Sequence, residues 1–152
     1  MRLLKHLYRL AVLWLVLGMC YVTVELFWRG ITYLPMIFVG GLCGLCIGLL
    51  NQHPVFCDRR VWQQALIGTA VTLAIEYVSG YILNIRLGLH IWDYSRLPLN
   101  INGQICLLYA GLWFLFMPFA IYLDDWLRWK LYDELHPPGG LLHNYIELFT
   151  GK

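Results

Sequence analysis

Glu25 and Glu76 each interrupt a stretch that otherwise reads as membrane-spanning helix. A carboxyl group in hydrocarbon is costly, so it is paired, lines a cavity or has a function such as binding a cation or carrying a proton. Arg29 follows Glu25 by one helical turn, which offers an i,i+4 ion pair as the simpler explanation of that acid. Glu76 has no basic residue within four positions on its own helix. Its partner must come from another helix, a connecting loop or a ligand.

A second concentration of chemistry lies in the segment His90-Ile-Trp92-Asp93-Tyr94-Ser-Arg96-Leu-Pro98-Leu-Asn100-Ile-Asn102-Gly103. Trp92 and Tyr94 suit a membrane interface, and Asn100 and Asn102 are candidate caps for the helix that follows. Asp93 and Arg96 are then free to reach the bundle, as an Arg96–Glu76 or an Asp93–Arg29 pair. Glu25, Glu76, His90 and Asp93 include hard and borderline donors, but their spacing matches no metal site, and neither metal nor cofactor is expected. Cys43-Gly-Leu-Cys46 has dithiol spacing. It lies in a run where Gly40, Gly44 and Gly48 recur every fourth residue, a pattern better explained by close helix packing.

These residues require helices to hold them in a bilayer. The 152 residues are 60% hydrophobic and 13% charged, about half the charge of a soluble domain, and seven Trp and ten Tyr provide for interfacial belts. The pattern predicts one transmembrane domain over residues 1–152, an all-α, polytopic four-helix bundle with spans near 8–28, 34–50, 62–83 and 103–123. An outer loop over 84–102 and a cytoplasmic tail over 124–152 complete it. The first span ends in Glu-Leu-Phe-Trp-Arg, with no small-residue cleavage site, and so reads as a retained helix. Pro118 is expected to kink the fourth span. The tail from Asp124 is expected to emerge into the headgroups or to continue as an interfacial helix, until Pro137, Pro138, Gly139 and Gly140 break it; residues 141–149 then form a short surface piece. Leu73-Ala-Ile-Glu76 echoes Val22-Thr-Val-Glu25, which would make two repeated helical hairpins with both acids approaching one side.

Glu76-Tyr-x-x-Gly80, then Trp92-Asp-Tyr-Ser95, Pro98, Asn100, Gly103-x-Ile-Cys106 and Trp113 resemble the bacterial ABC-transporter type IV membrane family (CmpB-like), whose relatives include transmembrane 229-type proteins. Glu25 matches that family's glutamate in the first span. The resemblance implies a permease-like or small-solute-binding integral subunit. It would have a polar outer-side pocket formed by Glu25, Glu76, Trp92, Asp93, Tyr94, Arg96 and Asn100, and would contact membrane lipid and a small solute or lipid-like ligand. No Gly-x-x-x-x-Gly-Lys-[Ser/Thr] loop occurs in these residues, so ATP hydrolysis would fall to a separate ATPase; a homo-oligomer is the other partnership considered, and nothing points to nucleic acid. Two alternatives remain open on the sequence. One is an intramembrane enzyme on a lipid or isoprenoid-like substrate, with Glu76 as acid or base, Asp93 as its counterpart and Arg96 binding an anion. The other is a structural or regulatory interaction subunit.

Basic residues set the expected orientation in the cell inner (cytoplasmic) membrane. Arg2, Lys5, Arg9, Arg59, Arg60, Arg128, Lys130 and Lys152 lie on one side and Arg29, Arg86 and Arg96 on the other, which puts both termini in the cytoplasm. In cysteine-accessibility labelling, an impermeant reagent added outside should modify His90→Cys and spare Arg59→Cys. The reverse pattern inverts the topology.

Overall fold

The apolar runs become helices in the computed structural model, which describes residues 2–137 and 139–151; the tail residues Pro138 and Lys152 lie outside the described set. Helix α1 spans Arg2–Arg29, α2 Pro35–Asn51, the single turn α3 Pro54–Cys57, and α4 Val61–Gly80. A π-helical turn, Tyr81–Arg86, prolongs α4, and α5 and α6 follow at Leu107–Tyr132 and Gly140–Thr150. The protein is an all-α membrane bundle in which α1, α4 with its π turn, and α5 are long and apolar enough to cross a bilayer. Helix α2 is equally apolar but has only 17 residues.

The two hairpins are unlike. Residues 30–34 link α1 to α2, whereas residues 87–106 link α4 to α5 and carry their own two-stranded ladder. The expected pair of repeated hairpins is therefore not evident. The fourth span also starts later than its hydropathy suggested, because 100–106 is used otherwise. Strands β1 (Asn100–Ile101) and β2 (Ile105–Cys106) pair antiparallel, Asn100 opposite Cys106. Asn102 and Gly103 both adopt positive φ, 51° and 68°, and the Gln104 N–H donates to the Ile101 carbonyl at 3.0 Å. Two successive left-handed residues are what a type I′ turn demands, and Asn-Gly is the pair that adopts it most readily. Neither Asn100 nor Asn102 caps α5; Cys106 holds that position.

At its other end α5 runs on through Asp124, without a break at 124, and stops at Tyr132, where Asp133 turns left-handed. Pro118 is fully buried inside it. The last segment is a short helix. Leu148 of α6 packs into a core cluster with Phe56, Val61, Ala65, Met117 and Ile121, and Glu147 Oε1 accepts from the Val61 N–H at 3.3 Å, covering a free donor at the start of α4. A second cluster fills the loop end of the bundle with Val22, Met36, Val39, Cys43, Ile91 and Trp92. Leu15, Phe38, Leu66 and Leu115 remain exposed as part of an apolar girdle, which in a bilayer faces lipid.

Helix α2 is seated by its glycines. A Cβ on Gly40 would strike the Tyr21 ring, one on Gly44 would come within 2.8 Å of Leu17 Cβ, and one on Gly48 would strike the Asp124 carboxylate. The small face therefore serves α1 at one end and α5 at the other, and Cys43, buried beside it, is a packing residue. Gly48→Ala should destabilise the detergent-solubilised protein by about 1–3 kcal/mol through overpacking. Gly111→Ala, which meets nothing within 4 Å, should be neutral or slightly stabilising. Thermal unfolding of the two variants checks the contrast.

Candidate functional site

Glu25 and Glu76 are both buried, at 7% and 6% exposure, but their surroundings differ. Around Glu25 every donor is local or arrives from a nearby loop. The Arg29 Nη1 donates to Oε1 at 2.7 Å and the Thr32 hydroxyl donates to Oε2. Arg29 also donates through Nη2 to the Ile91 carbonyl at 2.9 Å. The pair expected from i,i+4 spacing is therefore also a clamp, tying the end of α1 to the segment after α4.

Glu76 sits deeper than its sequence position suggested, because the π turn extends its helix to Arg86. Ten residues, roughly 15 Å at helical rise, separate it from that end. The Trp113 indole lies beside its carboxyl, while Oε2 has no hydrogen-bond partner among the described residues. Tyr21 and Glu25 of α1, Cys43 of α2 and Tyr94 of the 87–106 segment are its other titratable neighbours. Two stacked pairs wall the region: Tyr21 on Trp113 at 5.9 Å between centroids, and Tyr94 on Tyr109 at 4.5 Å.

The other sequence candidates divide. Trp92 is not an interfacial anchor; it is buried at 6% exposure and its indole donates to the Gln104 carbonyl at 3.0 Å. Gly80 makes room for this, since a Cβ there would come within 2.9 Å of the Trp92 ring. Tyr94 is half-buried against the same cluster. Asp93 and Arg96 are exposed, and neither expected pair, Arg96–Glu76 or Asp93–Arg29, forms. Asp93 instead folds its own turn, accepting from the Ser95 N–H at 2.8 Å and the Ser95 hydroxyl at 3.0 Å. Asn100 holds that turn from the far side, donating to Leu97 O at 2.7 Å and accepting from the Gly103 N–H at 3.0 Å. His90 is exposed, and among the described residues no three of His, Cys, Asp and Glu gather to hold a metal ion.

Two residues that organise the region had no part in the sequence reading. Asn84, buried in the π turn, donates to Gln104 Oε1 at 2.9 Å and accepts from the Ile91 N–H at 2.7 Å. Gln104, buried after the Asn-Gly turn, donates in turn to the Asn102 carbonyl. The signal available was an amide residue inside an apolar run, a less conspicuous cue than a charge. The tail end holds another missed group: Arg128 donates to Asp124 at 2.6 Å, both buried, and Asn51 donates to Asp125 at 2.8 Å.

A polytopic helical membrane protein with paired and unpaired buried acids is the class these features define. Residues 9–138 match the family described as "Putative ABC-transporter type IV", and the chain belongs to that family. Neither a curated protein nor a solved structure matches it.

The Ser95 N–H and hydroxyl hold the Asp93 carboxyl below the usual carboxylate range. A carboxyl whose folded pKa is depressed stabilises its turn above the ordinary carboxylate pKa, and loses that contribution as pH falls through the depressed value. Relative to its intrinsic exchange rate at each pH, the Ser95 amide should therefore be protected at neutral pH and lose that protection both in acid and in Asp93→Ala. Equal exchange in native and Asp93→Ala protein at neutral pH would remove Asp93 from the turn.

Proposed function

We propose that the chain is the membrane-spanning, ion- or solute-binding subunit of a transport system, with Glu76 as its functional acid. Family membership supports the transport-related, permease-type reading. The observation that carries the rest is the asymmetry of the two acids: Glu25 is fully paired by Arg29 and Thr32, while Glu76 keeps a buried, unpartnered oxygen among Tyr21, Cys43, Tyr94 and Trp113. An acid left so in a membrane helix is the group that takes a cation or a proton. Trp92 and Tyr94 cover it, Asn100 and Asp93 shape the cover, and Glu25 with Arg29 fastens the cover to α1. In this reading α2 is the short fourth crossing, which leaves both termini on one side, and the bias of basic residues makes that side the cytoplasm of a cell whose inner membrane holds the protein. A separate ATPase supplies nucleotide hydrolysis, and a small solute or lipid-like molecule is the cargo.

An intramembrane enzyme acting on lipid has less support. An apolar cleft of about 370 Å³ opens between α2 and α4 beside Phe38, Val39 and Leu83 and has room for a hydrocarbon chain. The charged groups that such chemistry would add, Asp93 and Arg96, are exposed rather than gathered at Glu76.

Ligand-linked stability separates the roles of the two acids. In nanodiscs, a cation that binds the folded protein raises its Tm by mass action. Across a series of alkali cations and of pH, the proton counting as one such cation, the native protein should show such a rise for at least one, and Glu76→Gln should lose it. Glu25→Gln should retain the dependence on a lower baseline, by roughly 1–3 kcal/mol, less than a fully buried pair costs because Arg29 is 30% exposed. Identical cation responses in native and Glu76→Gln protein would overturn the assignment to Glu76.

A further inference from the structure

Helix α4 carries more than Glu76 on its buried face. Thr69 and Thr72 lie there too, at 8% and 1% exposure, and with Glu76 they recur at intervals of three and four residues, the spacing of one helical face. A threonine hydroxyl in a helix ordinarily bonds the carbonyl one turn back, and two in this chain do: Thr23 to Met19 O and Thr150 to Ile146 O, each at 2.8 Å. Thr69 and Thr72 do not. Their hydroxyl oxygens and Glu76 Oε2 are all buried without a partner among the described residues. Three unsatisfied oxygens in line on one helix are expensive as mere packing. Helical rise separates Thr69 from Thr72 by about 4.5 Å and Thr72 from Glu76 by about 6 Å, spans that single bridging waters close.

The line points toward a chamber. At the tail end a cavity of about 700 Å³, within the range of ligand sites, is lined by Gln64 of α4 together with Asn51, Arg59, Asp125, Arg128 and Glu147. On α4, Ala65 lies between Gln64 and Thr69 and packs with Ile47 and Met117 in the apolar cluster, with the Met117 sulfur packed against Gly68.

We infer that α4 provides a proton route from the tail-end chamber through Thr69 and Thr72 to Glu76, gated by the apolar collar of Ile47, Ala65 and Met117. The inference rests on the reading of Glu76 as the functional acid and adds the ion, its direction of approach and its gate. Each hydroxyl accepts a proton on an oxygen lone pair as it releases its own to the next water. One proton leaves the chamber, one arrives on the Glu76 carboxylate, and the hydroxyls end unchanged. The groups facing the end of the route are Tyr21 and Glu25 from α1, Cys43 from α2, Tyr94 from the 87–106 segment and Trp113 from α5. Among the described residues none of these lines the chamber, whereas α4 reaches it through Gln64.

Infrared-monitored hydrogen–deuterium exchange of the Glu76 carboxylic acid in nanodiscs tests the route without any transport assay. The band is assigned by its loss in Glu76→Gln. After a switch to D2O, Thr72→Val and Thr69→Val should each slow the exchange at least tenfold. Thr72→Ser should restore the native rate, and Ala65→Ser, which wets the collar, should raise it severalfold. The Thr69 variant stands as an independent arm should Thr72→Val fail to fold. A Glu76 band present with native exchange rates in both valine variants overturns the route while leaving the functional acid in place. No band assignable to Glu76 at any pH removes the functional acid, and the route with it.

Discussion

The Arg29 guanidinium is the fastening on which the loop end of the molecule depends. It closes the charge of Glu25 on its own helix and reaches across to the Ile91 carbonyl, so the cost of burying that acid is offset by the bond that brings the 87–106 segment over the bundle. From Ile91 the restraint passes to Asn84 through its N–H, from Asn84 to Gln104, and from the Gln104 carbonyl to Trp92. Each member satisfies a buried polar group of the next, and such a network is rigid only when complete. The π turn belongs to this chain of contacts, since it carries Asn84. Widened turns of that kind are frequent where a helix serves function rather than packing alone.

Against that background Glu76 stands out. At the tail end Asp124 is paired with Arg128, although Asp124 Oδ1 and Arg128 Nη2 stay buried without a partner among the described residues, and Asp125 accepts from Asn51; at the loop end both oxygens of Glu25 accept a hydrogen bond. Among the described residues Glu76 alone of the buried acids sits beside unsatisfied hydroxyls on its own helix face. A purely structural acid would be expected to draw a basic partner, as the other two buried carboxyls in ion pairs do. Glycines set the scale of the enclosure, because Gly40 admits the Tyr21 ring that stacks on Trp113 beside the carboxyl.

Much of the fold was legible, because in hydrocarbon an apolar run of sufficient length leaves the backbone little choice but helix. The C-terminal end of α1 and both ends of α2 fell close to their expected positions for that reason, whereas α1 begins at Arg2 rather than near residue 8. The start of α5 did not, since apolar residues 105–107 fit strand or helix equally and only the paired positive φ of Asn102 and Gly103 decides between them. The sequence reading takes Asn102 as a cap and Gly103 as the first residue of the span rather than the pair as a turn. Charge also misled in the loop: Asp93 and Arg96 were expected to find partners across the bundle, whereas a carboxylate two residues before a serine closes a local turn at far smaller entropic cost. What mattered there was uncharged. Asn84, Gln104, Thr69 and Thr72 acquire their meaning from burial, which a sequence window averages away.

The direct measurement is an experimental density map of the protein in a lipid environment, read at the unpartnered oxygen of Glu76. Ordered water or an ion is expected within hydrogen-bonding distance of Oε2, continuing toward the Thr72 hydroxyl. A lipid tail packed dry against the carboxyl, or a basic side chain closing on it as Arg29 closes on Glu25, would contradict it.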